Sequence, residues 1–148
     1  MGRWDLPKQS PIPDELTKPF WDACNEDRLV VQKCTGCTER RGLNAMQHPP
    51  EKICRNCGSG DHLVWTEVSG RGYIQTYAVM HDVPIRVLQP DQPFNLAVIE
   101  IAEDRSVLFL SHLHGTPVDE VPMGAAVQVE FEVTHATGQK VPEWRVIA

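Results

Sequence analysis

Four of the five cysteines fall in two C-x2-C pairs, Cys34/Cys37 and Cys54/Cys57, separated by sixteen residues. Nothing else in the chain limits its folding so much. A short C-x-x-C loop turns tightly enough for both sulfurs to reach one ion, and two such loops supply the four thiolates of a tetrahedral site. Gly36 and Gly58 are placed to take the unusual backbone angles of such a knuckle. Four thiolates leave no position for water or substrate, so the pattern predicts a structural zinc rather than a catalytic one. Iron, held by the same all-sulfur tetrahedron, stays open. Paired disulfides fit poorly with an odd cysteine count, and a redox C-x-x-C would not come twice.

The 148 residues suffice for one ordinary core, or for a small metal-stapled module beside one compact domain. A formal charge of -6 argues against a general nucleic-acid binder. No apolar run approaches the roughly 20 residues of a membrane helix. The start, Met1-Gly2-Arg3-Trp4-Asp5, has no hydrophobic segment to serve as a secretory signal, so a reducing, cytoplasmic setting is expected. Charge is unevenly spread. Arg28, Lys33, Arg40, Arg41, Lys52 and Arg55 face only Glu39 and Glu51 between Arg28 and Cys57, which leaves the remainder strongly acidic. These cations offset a negative zinc–thiolate cluster; a meeting with a phosphate-bearing ligand or an acidic partner is the other reading.

Residues 1–13 hold Trp4 and three prolines without periodicity, which predicts an extended arm that Trp4 would anchor on a partner. From Asp14 to Asn25, Leu16, Phe20, Ala23 and Cys24 recur at helical spacing, with Asp14 or Thr17 as cap and Pro19 in the first turn. Cys24, on that apolar stripe, reads as a small buried hydrophobe. Leu29–Gln32 is a strand into the first knuckle. Thr38–Lys52 reads as hairpin and loop, and His48, beside two prolines, as an exposed loop residue rather than a ligand.

Past Ser59-Gly60-Asp61, strand-like runs alternate with turns. They cover Leu63–Val68, Tyr73–Met80 after the turn Ser69-Gly70-Arg71-Gly72, Phe94–Ile101, Val107–Leu113 and Trp144–Ile147, with Asp82–Pro93 an irregular loop. Val127, Val129, Phe131 and Val133 alternate with polar residues as in a half-buried strand. The fold class is therefore mainly β: an N-terminal arm and short helix (1–27), a zinc ribbon (28–61) and a small closed barrel of OB type (62–148), with an open sandwich as the alternative.

The chain has no nucleophile elbow, phosphate loop, dinucleotide fingerprint or H-E-x-x-H, and no catalytic residue is assigned. His112 and His114 share one strand face. Two histidines so placed could bind a metal or shuttle a proton, but with Leu108 and Leu110 upstream on that face the pair is expected where core gives way to rim, with contact to a ligand or partner the other reading.

Pro19-Phe20-Trp21, the segment from Leu29 through both cysteine pairs, Val64-Trp65-Thr66-Glu67-Val68-Ser69-Gly70-Arg71-Gly72 and the later Pro93-Phe94 and Val98-Ile99-Glu100 resemble a family that joins a rubredoxin-like zinc ribbon to an OB-fold. The resemblance spans about Leu16 to Ile147. It implies an accessory subunit of a thiolase-like catalytic partner acting on acyl-CoA thioesters, whose partner owns the catalytic cysteine and histidines. Thiolysis of a 3-oxoacyl-CoA, such as an aromatic-substituted succinyl-CoA, is the first expectation; retro-aldol cleavage in steroid side-chain degradation is the second, and single-strand nucleic-acid binding the rival outside the family. Cys34, Cys37, Cys54 and Cys57 carry over as ligands. Arg40, Arg41, Lys52 and Arg55 are electrostatic candidates for the coenzyme A phosphates. The loop Gly42–His48 departs from the family's aromatic and proline-rich pattern, and its Leu43 and Met46 are expected to form a small apolar contact patch.

Overall fold

The computed structural model describes residues 10–41, 45–85 and 92–147, with the side chains of Arg40 and Arg41 outside that description. Trp4, Leu43 and residues 86–91 of the long loop also lie outside it.

Helix α1 runs Lys18–Asn25 and buries Phe20, Ala23 and Cys24. Asp14 and Thr17 close the turn before it: Thr17 N donates to Asp14 Oδ1 (2.8 Å), and Asp14 N to Thr17 Oγ1 (3.0 Å). The regular helix thus starts four residues after the expected Asp14, because this reciprocal pair makes a capping turn of its own. Asp27, at φ 59°, reverses the chain at the far end.

Strand β1 (Leu29–Cys34) is followed by α2 (Thr35–Arg41) and a two-residue strand β2 (Met46–Gln47). The α2 helix corrects the expected hairpin, and Gly36 lies within it; only Gly58 of the two knuckle glycines has a left-handed φ, +76°. Strand β3 (Leu63–Val68) pairs antiparallel with β1 along its whole length, from Leu29 opposite Val68 to Cys34 opposite Leu63. It therefore joins β1 and β2 in one three-stranded sheet, in the order β2-β1-β3. Sequence reading places this segment with the barrel. Leu29, Val30 and Val31 are all buried, as a nearly unbroken apolar run requires when both faces of a strand are covered.

The second sheet comprises β4 (Arg71–Met80), β5 (Phe94–Ile101), β6 (Leu108–Ser111), β7 (Ala126–Val133) and β8 (Lys140–Val146), ordered β6-β5-β4-β7-β8 and antiparallel throughout. It curls into a nearly closed barrel, and its edges, β6 and β8, meet through side chains. Trp144 N donates to Ser111 Oγ (2.8 Å), Ser111 Oγ donates to Glu143 Oε2 (2.7 Å), and His112 N donates to the same oxygen (3.1 Å). The alternation expected for β7 holds at Val127, which is buried, and fails at Val133, which is 55% exposed where the strand runs past the core.

Ser69-Gly70-Arg71-Gly72 carries the chain from the first sheet into the second under close contact. A Cβ on Gly70 would lie 2.3 Å from Val129 Cγ1, and one on Gly72 2.5 Å from the Glu100 carbonyl oxygen. Gly70 also has φ +77°, which disfavours any other residue. Gly70→Ala is expected to lower the unfolding free energy by roughly 2–4 kcal/mol, from the left-handed backbone plus overpacking. Gly124→Ala is the control, since Gly124 has φ +78° with nothing within 4 Å of the added carbon. Urea unfolding of the two variants separates the contact from the conformation.

The main core unites α1, β1 and the barrel through Phe20, Leu29, Val31, Ile74, Ile99, Phe109, Val127 and Trp144. A second, smaller core consists of Cys34, Cys37, Ala45 and Cys54, with Cys57 and Leu63 against it.

Candidate metal centre

Cys34 ends β1, and Cys37 sits in the first turn of α2. The second knuckle is a tight turn in which Cys54 N donates to the Ser59 carbonyl and Gly58 N to the Cys54 carbonyl, both at 2.8 Å. Asn56 N points at Cys54 Sγ (3.4 Å). These loops bring the four sulfurs within 4.8 Å of one another. Cys34 Sγ and Cys57 Sγ are 3.8 Å apart, as are Cys37 Sγ and Cys54 Sγ. A tetrahedron with metal–sulfur bonds of about 2.3 Å has edges of about 3.8 Å, so the donors fit one ion. Disulfides need sulfurs at about 2.05 Å, and all four cysteines are free. Burial, with the neighbouring sulfurs of Cys57, Cys34 and Cys54, pushes the Cys37 thiol up to about 12. A divalent cation supplies the charge that lets such a cluster ionise.

Two glutamines brace this centre. Gln32 and Gln47, paired across β1 and β2, are both buried. Gln47 Nε2 donates to Gln32 Oε1 (2.9 Å) and to the Ile53 carbonyl (3.1 Å), while Arg55 N donates to Gln47 Oε1 (3.0 Å). Glu51 N donates to Gln32 Oε1 (2.8 Å). The pair ties the second knuckle to the ribbon sheet. Neither glutamine is singled out by the sequence, although Gln32, directly after the apolar run Leu29-Val30-Val31 and within the same strand, is a visible signal.

The four candidate cations fall into different settings. Arg55 is held by the loop before it: Nε pairs with Glu51 Oε1 (2.7 Å), and the guanidinium donates to the carbonyls of His48 (3.3 Å) and Pro49 (3.1 Å). It also lines a cleft of about 630 Å³ with Met46, Asn56 and Arg105. Lys52 is exposed. Arg40 and Arg41 belong to α2, and their side chains lie outside the described residues.

His48 corrects the expectation of an exposed loop residue. Its ring stacks on Phe109 at a centroid distance of 4.1 Å and meets Phe20 at 5.1 Å. The column Phe20–His48–Phe109–Trp144 thereby joins α1 and the ribbon loop to the barrel. Burial, with Arg55 nearby, pulls the His48 imidazole from 6.5 down to about 4. In this range the unfolded chain takes up the proton first. The contribution is therefore complete above about pH 6.5 and is lost as pH falls toward 4. Between pH 7 and 5 it should remove about 2 kcal/mol, seen as the difference between urea melts of the wild type and His48→Phe. Cys24 is fully buried, and burial raises its thiol to about 12, which suits the inert packing role expected for it.

His112 and His114 are not a continuation of a core face, because Leu108 and Leu110 are 40% and 61% exposed whereas Phe109 and Ser111 are buried. The pair instead lies against Glu132 and Glu143. Among the described residues, no helix is long and apolar enough to cross a membrane.

Comparison with known proteins gives a consistent picture. Residues 65–132 match the family model described as the C-terminal OB-fold domain of ChsH2. A probable enoyl-CoA hydratase alpha subunit from Thermomonospora curvata is 30% identical over 115 residues, which cover 76% of this chain and 32% of that protein. The chain thus spans about a third of the length of that relative. A DUF35 domain-containing scaffold protein from Methanocaldococcus jannaschii is 23% identical over 113 residues, covering 71% of this chain and 78% of that one. Among solved structures, the Ltp2-ChsH2(DUF35) aldolase superposes with a TM-score of 0.75 at 25% identity, over 93% of this chain and 98% of that one. A DUF35-family protein of unknown function from Sulfolobus solfataricus shares the fold, with a TM-score of 0.59 at 14% identity over 98% and 90% of the two chains.

Proposed function

We propose that this chain, a four-cysteine ribbon joined to an OB-fold of the DUF35 kind, is a zinc-containing accessory subunit of a thiolase-superfamily enzyme acting on acyl-CoA thioesters. The observation that carries this reading is the likeness to the Ltp2-ChsH2(DUF35) aldolase over nearly the full length of both chains. The partner supplies the reacting groups. This chain supplies a rigid body: the cysteine centre fixes one end, and the aromatic column from Phe20 to Trp144 locks that end to the barrel. Arg40, Arg41, Lys52 and Arg55 are the cations available to coenzyme A phosphates. Arg55 acts by holding the loop as well as by charge, since it is already tied to Glu51.

Two reactions divide this proposal. In thiolysis the thiol of free coenzyme A attacks the 3-oxo carbonyl, and the carbon–carbon bond breaks to give two thioesters. In retro-aldol cleavage a β-hydroxyl loses its proton and the same class of bond breaks, giving a carbonyl compound and a shortened thioester, with no free coenzyme A consumed. The aldolase likeness favours the second reaction over the first.

The test is to co-express the chain with a thiolase-superfamily polypeptide encoded beside it. The two should co-elute in fixed ratio, and a CoA thioester should be cleaved only by the mixture. Release of a carbonyl product without added coenzyme A marks the aldolase; dependence on coenzyme A marks the thiolase. Turnover by this chain alone, or its elution apart from the partner, overturns the reading. Salt-sensitive retention on single-stranded DNA in place of complex formation would do the same.

A further inference from the structure

Besides the cysteines, one other group of ligating side chains converges among the described residues: His112, His114 and Glu132, whose ligand atoms lie within 4.8 Å of one another. We infer that these three, with Glu143 beside them, form a second metal site, for a divalent first-row ion such as zinc.

The ligands come from three segments that meet at the barrel seam. His112 and His114 follow β6, Glu132 lies on β7 and Glu143 on β8. Glu130 and Glu143 are directly opposite in the β7–β8 register, so Glu132 and Glu143 share one face of that pair, the face away from Trp144. His112 Nε2 is 3.4 Å from Glu132 Oε2 and 3.4 Å from Glu143 Oε1. His114 Nε2 faces Glu132 Oε1. The two rings are nearly perpendicular, at 84° with centroids 4.3 Å apart, and both direct Nε2 toward the Glu132 carboxylate. Zinc bonds to nitrogen and oxygen of about 2.0–2.2 Å place neighbouring ligands of a tetrahedron about 3.4 Å apart. The His112 separations match that spacing.

Charge and support agree with the geometry. The four side chains are only 11%, 22%, 19% and 15% exposed for His112, His114, Glu132 and Glu143. Two carboxylates held together out of water carry two negative charges, which a divalent ion and two neutral imidazoles balance. Glu143 is oriented from behind, because its Oε2 accepts from Ser111 Oγ and His112 N while Oε1 faces His112. Two imidazoles and a carboxylate form the borderline donor set of zinc, iron and cobalt. Unlike four thiolates, three ligands leave a position for Glu143, water or an incoming oxygen ligand. The ion would clip the two sheet edges together where no backbone ladder joins them.

The test uses the full-length chain with its cysteine centre filled with zinc. After equilibration with Zn²⁺ or Co²⁺ and desalting, elemental analysis should find two ions per chain. Cobalt at the second site should show d–d absorption without thiolate charge-transfer bands. His114→Ala and Glu132→Gln should each weaken the second ion by roughly 100-fold or more while keeping the first. Added zinc should raise the melting temperature of the wild type and of neither variant. One ion per chain in excess zinc, with an unmoved melting temperature, overturns the inference and leaves a cluster of side-chain contacts without a metal. Retention of both ions by His114→Ala also overturns it. Wild-type stoichiometry decides the matter even if a variant fails to fold.

Discussion

Replacing Cys54 by serine is expected to strip the cysteine centre of its ion and unfold the two knuckles, while the barrel stays folded. The hydroxyl is a poor substitute for a thiolate, and three sulfurs no longer close the tetrahedron. Binding at structural zinc sites is worth on the order of 10–16 kcal/mol and is itself folding free energy. The small core offers nothing in its place: Cys34, Cys37, Ala45 and Cys54 are its buried members, with Cys57 and Leu63 alongside. Hydrogen exchange should show loss of protection at the amides of Cys54 and Gly58, which close the second knuckle, with β5 and β7 still protected. A Cys54→Ser chain that kept a stoichiometric ion and its knuckle protection would refute the four-sulfur assignment.

Trp144→Ala is expected to have the opposite distribution, damaging the barrel and sparing the metal centre. Trp144 is 1% exposed and packs on Phe109 at a centroid distance of 5.0 Å. Truncating a buried tryptophan costs about 3–5 kcal/mol, through lost transfer energy and an unfilled cavity. That is a large part of the roughly 5–15 kcal/mol by which a domain is stable. The melting temperature should fall by on the order of 10 °C. The Trp144 Nε1 atom has no hydrogen-bond partner among the described residues, so Trp144→Phe should lose far less. A drop of only a degree or two for the alanine variant would mean that the column from Phe20 to Trp144 does not hold ribbon and barrel together.

The features legible in the sequence are those that depend on local spacing. Two C-x2-C pairs are enough to place four sulfurs, because loop geometry is fixed within each pair. Phe94–Ile101 is recovered to the residue, because its apolar run is bounded by proline on one side and Glu103-Asp104 on the other. The α2 helix is not legible because seven residues with a glycine and two threonines have neither periodicity nor propensity, while its Cys37 belongs to the cysteine cluster. The pairing of β3 with β1 is a long-range choice that alternation within β3 cannot reveal. The packing of His48 is hidden for a related reason. It sits between Phe20 and Phe109, residues far away in sequence, and nothing beside it marks it as packed. The partners of His112 were equally hidden, since Glu132 reads as the polar face of a half-buried strand until the barrel curls and brings β6 across it.

The same curl leaves its last joint to Ser111, Glu143 and the backbone of Trp144, rather than to a run of paired main-chain groups. Elsewhere in the wall the strands are joined by main-chain hydrogen bonds, which belong to every residue alike. A change at position 111 or 143 acts directly on the hydrogen bonds that join the two edges. The ease with which this barrel opens is therefore set by side chains at one seam.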